Sequence, residues 1–103
     1  RVAGSGSSRY PSPDVLAGNG VKCLAIECKS SGETRRYLTN DEVKNLLSFS
    51  TTFGAEPWIG IRFNAMPWYF LPVSELQKTD KHFAVDVERA KQRGLLFDEL
   101  VSF

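Results

Sequence analysis

Cysteine is scarce in this 103-residue chain, and so is any excess of one charge. The two cysteines, Cys23 and Cys28, lie in a single apolar segment without a Cys-x-x-Cys spacing, and the one histidine, His82, is distant in sequence. That excludes a disulfide scaffold and a zinc-ligand pattern. On a strand their odd separation would put them on opposite faces, so they read as two buried thiols in a reducing cytoplasm. No apolar run approaches the ~20 residues of a membrane helix, and no signal-peptide pattern is present. Thirteen Lys+Arg against twelve Asp+Glu leave a net charge of +1. Bulk charge therefore gives no sign of a nucleic-acid binder, and such a reading must rest on local chemistry. What is present is ordinary: 42% apolar and 24% charged residues, the composition of one globular domain. There is no internal repeat.

Along the chain, residues 3–13 have the Gly, Ser and Pro content of a surface loop and are expected to be mobile. Residues 14–17 form a short strand pattern, followed by Asn19-Gly20, a strong hairpin signal. Residues 21–29 follow as a strand apolar on both faces, hence central, with Glu27 and Lys29 together on one face at its end. Residues 30–36 read as a polar loop. Thr39 to Glu42 is a T-x-x-E capping box, and Val43, Leu46, Leu47, Ser50 and Phe53 continue at helical spacing to Gly54, which predicts a helix over 40–53. Residues 58–63 and 68–71 read as neighbouring antiparallel strands. Ser74 to Gln77 predicts a short capped helix, and Asp86 a further helix ending at Gly94. The tail, 95–103, is strongly apolar. The expected fold class is α/β, a central mixed β-sheet flanked by helices.

The chemistry concentrates at Pro13-Asp14 and Glu27-Cys28-Lys29. If Asn19-Gly20 is a two-residue turn, paired residue numbers sum to 39 and Asp14 faces Ala25. It then shares a sheet face with Glu27 and Lys29, roughly 7–8 Å diagonally from Glu27. Two hard carboxylates with the Cys28 carbonyl suit Mg²⁺, which takes few protein ligands and several waters. Lys29 is placed to orient a water or to stabilise a pentavalent phosphate. The plainer reading is a half-exposed Glu–Lys patch at a strand end.

This arrangement resembles the PD-(D/E)xK nuclease superfamily. With Arg1 to Gly6, Pro13 to Gly20, Leu24 to Lys29, Phe49 to Glu56 and Trp68-Tyr69-Phe70, the chain is similar to the archaeal-type Holliday-junction resolvases over most of its length. The resemblance implies a restriction-endonuclease-like fold and a dimeric, Mg²⁺-dependent endonuclease, with Mn²⁺ able to substitute, that cuts four-way DNA junctions in recombination and repair. It implies a non-secreted, cytoplasmic protein of archaeal or viral type. Asp14 and Glu27 match the family's metal-binding acids, Lys29 its catalytic lysine, and Ser5 a serine implicated in some members. Arg1, Arg9, Arg35 and Arg36, the last three expected in loops flanking the site, are candidate phosphate contacts. Glu42 falls where members carry a polar residue facing the site, beside its plain capping role. The family's N-terminal helix, which bears a further glutamate, has no match here, and the chain opens on Arg1 rather than Met, so a missing first element is expected. Trp58 and Trp68 read as core or dimer surface, and His82 as uninvolved. Two alternatives stand: a superfamily nuclease for other DNA structures, and a catalytically deficient DNA-binding module. The residues specify no cleavage position, base preference or sliding-clamp partner.

Overall fold

The computed structural model describes residues 13–18 and 20–102. The fold is organised by β2 (Cys23–Ser31), whose Leu24, Ala25 and Ile26 are consecutively buried. A strand buried on both faces must lie inside a sheet. It pairs antiparallel with β1 (Val15–Gly18) and parallel with β4 (Glu56–Phe63), which pairs antiparallel with β5 (Trp68–Pro72). The result is a mixed four-stranded sheet of order β1-β2-β4-β5.

Period-two alternation divides its side chains between two cores. On one face Ala25, Ile59, Ile61, Phe63 and Leu71 pack under Val43, Leu46 and Phe49 of α1 (Asn40–Phe53). On the other, Leu24, Ile26, Trp58 and Phe70 are closed by Leu100 of α3 (Phe97–Val101). The Phe70 ring lies over Gly60, where an added Cβ would come within 3.0 Å of Phe70 Cε1. Residues 58–63 and 68–72 therefore bury most of both faces within one chain. Of the two tryptophans that read as core or dimer surface, Trp58 belongs to the core at 7% exposed, whereas Trp68, at the sheet's edge, is 36% exposed. Both cysteines are free and half-buried.

The helix over 40–53 forms as its pattern predicts. Thr39 Oγ1 accepts from the Glu42 N–H at 3.1 Å, Glu42 Oε1 accepts from the Thr39 N–H at 2.9 Å, and Gly54 closes the far end at φ 65°, a left-handed conformation that suits glycine. Asp86 likewise caps α2 (Val87–Arg93) through the Arg89 N–H at 2.7 Å.

Three expectations are corrected. The 30–36 loop shrinks to residues 32–34: β2 runs on to Ser31 and β3 (Arg35–Thr39) begins after those three residues, so Arg35 and Arg36 lie on a strand. β3 pairs with β7 (His82–Asp86), which pairs with β6 (Gln77–Lys78), giving a second, antiparallel sheet that adds Leu38 and Val85 to the core under α1. The polar run hid β3 because only Leu38 of its five residues is buried. Ser74 opens no capped helix; Val73–Glu75 is a single 3₁₀ turn with no side-chain cap, after which buried Leu76 returns to extended backbone. The β1–β2 register also differs: Gly18 pairs with Cys23, so paired numbers sum to 41 and residues 19–22 make the connection. A slip of two keeps every side chain on its expected face.

Replacing fully buried Ile59 by Ala removes packing from the larger core, with an expected loss of about 2–5 kcal/mol of unfolding free energy. Thr39→Ala, which removes only the cap, is expected to cost about 1 kcal/mol. Urea denaturation measures both; equal losses would contradict the assignment of the cores.

Candidate active site

The extended register carries Asp14, one residue before β1, alongside Glu27, on the face beneath α1. Its carboxylate Oδ2 accepts the Cys28 backbone N–H at 3.0 Å. In a strand a residue's N–H and C=O point to the same side, so the Cys28 carbonyl is directed to the Asp14 side as well. The one-residue spacing of Glu27 and Lys29 across Cys28 places both on the α1 face, and Lys29 Nζ stands 3.3 Å from Glu27 Oε2. The first turn of α1 then brings Glu42 down onto Lys29, whose ammonium donates to Glu42 Oε2. These side chains are recessed: Lys29 is 17% exposed and Glu27 21%.

Their electrostatics follow from that geometry. Burial, and then the charge of Asp14, push the Glu27 carboxyl above its usual range, against the pull of Lys29. Burial alone would lower the Lys29 ammonium, but its hydrogen bond to Glu42 and the charges of Glu42 and Glu27 outweigh that and raise it. Burial would raise Glu42, yet Lys29 and the Thr39 amide hold it below the usual carboxylate value. Cys28 is pushed up by burial and by the two flanking carboxylates, which keeps its thiol protonated.

The arrangement is a row of Asp14, Glu27, Lys29 and Glu42, three carboxylates against one ammonium. Such a surplus of negative charge suits a divalent cation at the Asp14–Glu27 end. Among the described residues no group of three or more His, Cys, Asp or Glu side chains is arranged to hold a metal.

Of the other sequence candidates, Arg36 lies beside the site, its Nη1 donating to the Ser30 carbonyl at 2.8 Å. Arg35 turns to the second sheet, where Nη2 donates to Gln77 Oε1 at 2.8 Å and the guanidinium lies 5.4 Å from the Tyr37 ring centre. Ser5, Arg1 and Arg9, and the expected mobility of the loop that carries Ser5 and Arg9, fall outside the described residues. Arg62 donates to the Met66 carbonyl at 3.2 Å and His82 packs edge-on against Tyr37, so neither joins the row. The sequence shows that Glu42 serves as a cap but not that it is the second partner of Lys29; a capping glutamate has two oxygens, and only the fold reveals where the second one points.

A mixed sheet flanked by helices, with an acid beside an acid-x-lysine strand end, is the restriction-endonuclease-like arrangement. The sequence model of the family described as "Archaeal holliday junction resolvase (hjc)" matches residues 1–103, and the chain belongs to that family. It is 42% identical to the crossover junction endodeoxyribonuclease Hjc of Archaeoglobus fulgidus over 106 residues, 96% of this chain and 78% of that protein. It is 33% identical to the Hjc of Methanocaldococcus jannaschii over 88 residues, 85% of this chain and 65% of that one. The crystal structure of A. fulgidus Hjc, described as a Holliday junction resolvase, superposes with a TM-score of 0.86, covering 97% of this chain and 82% of its own.

Because burial and Asp14 disfavour the Glu27 anion, Glu27→Gln is expected to leave the metal-free fold as stable as the parent or more so in urea with EDTA. A clear loss of stability would show that the Lys29 contact outweighs both.

Proposed function

We propose that the chain is a structure-specific endodeoxyribonuclease that resolves four-way DNA junctions by Mg²⁺-dependent phosphodiester hydrolysis, acting as a homodimer. The observation that carries this reading is the Asp14–Glu27–Lys29 constellation, recessed on one face of the sheet in a chain that matches the resolvase family from end to end. The names of the relatives supply the substrate and the reaction.

Asp14, Glu27 and the Cys28 carbonyl would hold the cation. Asp14 is already oriented by the Cys28 amide, so one of its oxygens is fixed while the other is available. Glu27, raised by burial and by Asp14, gains most from a nearby positive charge. When bound, Mg²⁺ lowers the pKa of a coordinated water and neutralises charge on the phosphate. Lys29, kept as an ammonium by its two carboxylate neighbours, donates to a phosphate oxygen and stabilises the charge that builds on phosphorus. It serves as an electrostatic group and not as a base. Arg35 and Arg36, neighbours on β3 of the second sheet, supply phosphate contacts that position the backbone without reading sequence. Ser5 keeps the role that the family resemblance implies for it, and Arg1 and Arg9 stay with Arg35 and Arg36 as candidate phosphate contacts.

A homodimer suits the two-fold symmetry of a junction, because paired nicks need two sites. Exposed apolar residues gather at the sheet's α3 side: Trp68, Phe97 and Val101 rim a groove of about 310 Å³ floored by Leu24, Ile26 and Phe70, and exposed Leu96 lines a second hollow that shares Trp68 and Phe97. A self-complementary contact there would draw on Trp68 and the C-terminal segment rather than on the whole 58–72 hairpin, and it lies across the sheet from the row of charges. Light scattering at micromolar concentration should give twice the chain mass; a monomer that nonetheless nicks both strands of a junction would remove the dimer from the account.

The catalytic assignment is tested with Asp14→Asn and Glu27→Gln. Each is expected to bind a four-way junction with near-parental affinity in Ca²⁺ or EDTA. Each should cleave it at least about 1,000-fold more slowly in Mg²⁺, since one anionic ligand of few is gone. Duplex and single-stranded DNA run beside the junction separate a resolvase from a general nuclease. Residual cleavage near the parental rate in either variant would overturn the assignment.

A further inference from the structure

Glu42 divides its two carboxylate oxygens between two tasks. Oε1 closes the capping box on the Thr39 N–H at 2.9 Å, and Oε2 receives the Lys29 ammonium. Lys29 lies between Glu27 on its own strand, at 3.3 Å, and Glu42 on the helix. The order matters chemically. Glu27 is the carboxylate that both Lys29 and a cation beside Asp14 would use. An ammonium paired with Glu27 alone would compete with that cation for the same oxygens, and its charge would repel the ion. A second anionic partner, held on the helix rather than on the strand, relieves both effects. It keeps the lysine fixed and charge-balanced while Glu27 turns to the cation. Both Glu42 oxygens are committed, which marks it as a support for the row and not as another ligand. The capping box fixes the carboxylate by a route independent of the site, through the helix and the strand that runs into it without a loop.

We propose that Glu42 is the positioning residue for Lys29, tethering the ammonium so that Glu27 is free for the divalent cation; this rests on the nuclease reading above. The helix cap and the active site are thus joined through one side chain. A supporting group of this kind is worth about 10–100-fold in metal affinity or activity.

Glu42→Gln separates the two tasks. A glutamine at this position of a capping box still accepts the Thr39 N–H through its carbonyl oxygen, but then offers Lys29 an NH₂, donor against donor. Thr39→Ala is the complementary control: it deletes the hydroxyl half of the cap and leaves Glu42 on Lys29. Three measurements on the full chain are needed: unfolding midpoint, Mn²⁺ affinity of the DNA-free protein by calorimetry, and junction cleavage resolved into kcat and KM. For Glu42→Gln the expected result is a midpoint lowered no more than in Thr39→Ala, a Mn²⁺ dissociation constant raised about tenfold, kcat lowered about tenfold or more, and KM unchanged. Thr39→Ala should lose stability and keep parental Mn²⁺ affinity and kcat. Parental Mn²⁺ affinity and kcat in Glu42→Gln would overturn the proposal and leave Glu42 a cap. So would equal losses in both variants that track their stability. If the parental protein itself cleaves no DNA with Mn²⁺ or Mg²⁺, the nuclease reading falls and the proposal with it; the parental arm distinguishes that failure from the others.

Discussion

Everything in the site depends on one constraint on β2. It is a central strand, buried on both faces through Ile26, that ends by placing two charged residues on the face covered by α1. Burying a charge costs several kcal/mol unless a partner meets it, so Glu27 and Lys29 require their neighbourhood to answer them. Asp14 arrives from β1 and Glu42 from the helix, and the negative surplus that results is what a divalent cation would satisfy. A structural ion pair would need only one acid for one base. Three acids around one base favour a site that receives charge from outside.

The same constraint explains why the fold is layered as it is. β3 runs into α1 with no intervening loop, Thr39 being at once the last residue of the strand and the cap of the helix. The second sheet therefore fixes where α1 begins, and with it where Glu42 sits. Leu38 and Val85 anchor that sheet in the core shared by α1 and the main sheet, so the support behind Lys29 reaches back to fully buried side chains.

Most of this was legible in the sequence where the signal is local. The capping box and the spacing of Val43, Leu46 and Ser50 gave the bounds of α1, and the apolar run of β2 gave its central place. The acid, acid-x-lysine pattern gave three of the four members of the row. Asn19-Gly20 suggests a tight turn and a register two residues shorter than the one the strands adopt, in which Gly18 pairs with Cys23. The parity of the strand is the same in both, and parity is what decides the face. The second sheet was not legible, because β3 pairs with β7 more than forty residues away and shows only one buried side chain to advertise it. Glu42 was readable as a cap and, through family resemblance, as a residue facing the site. Its contact with Lys29 was not, since that depends on how closely the helix descends on the sheet.

The central claim is that the Asp14–Glu27 end of the row is a cation site, with Lys29 held apart from it. The most direct measurement is an anomalous difference map from a crystal of the protein grown with Mn²⁺. The account predicts a single strong peak bridged by the Asp14 and Glu27 carboxylates and the Cys28 carbonyl, about 2.0–2.2 Å from each, with Lys29 still on Glu42. A peak elsewhere on the chain, or an occupied site in which Glu27 remains paired with Lys29 and touches no ion, would contradict it.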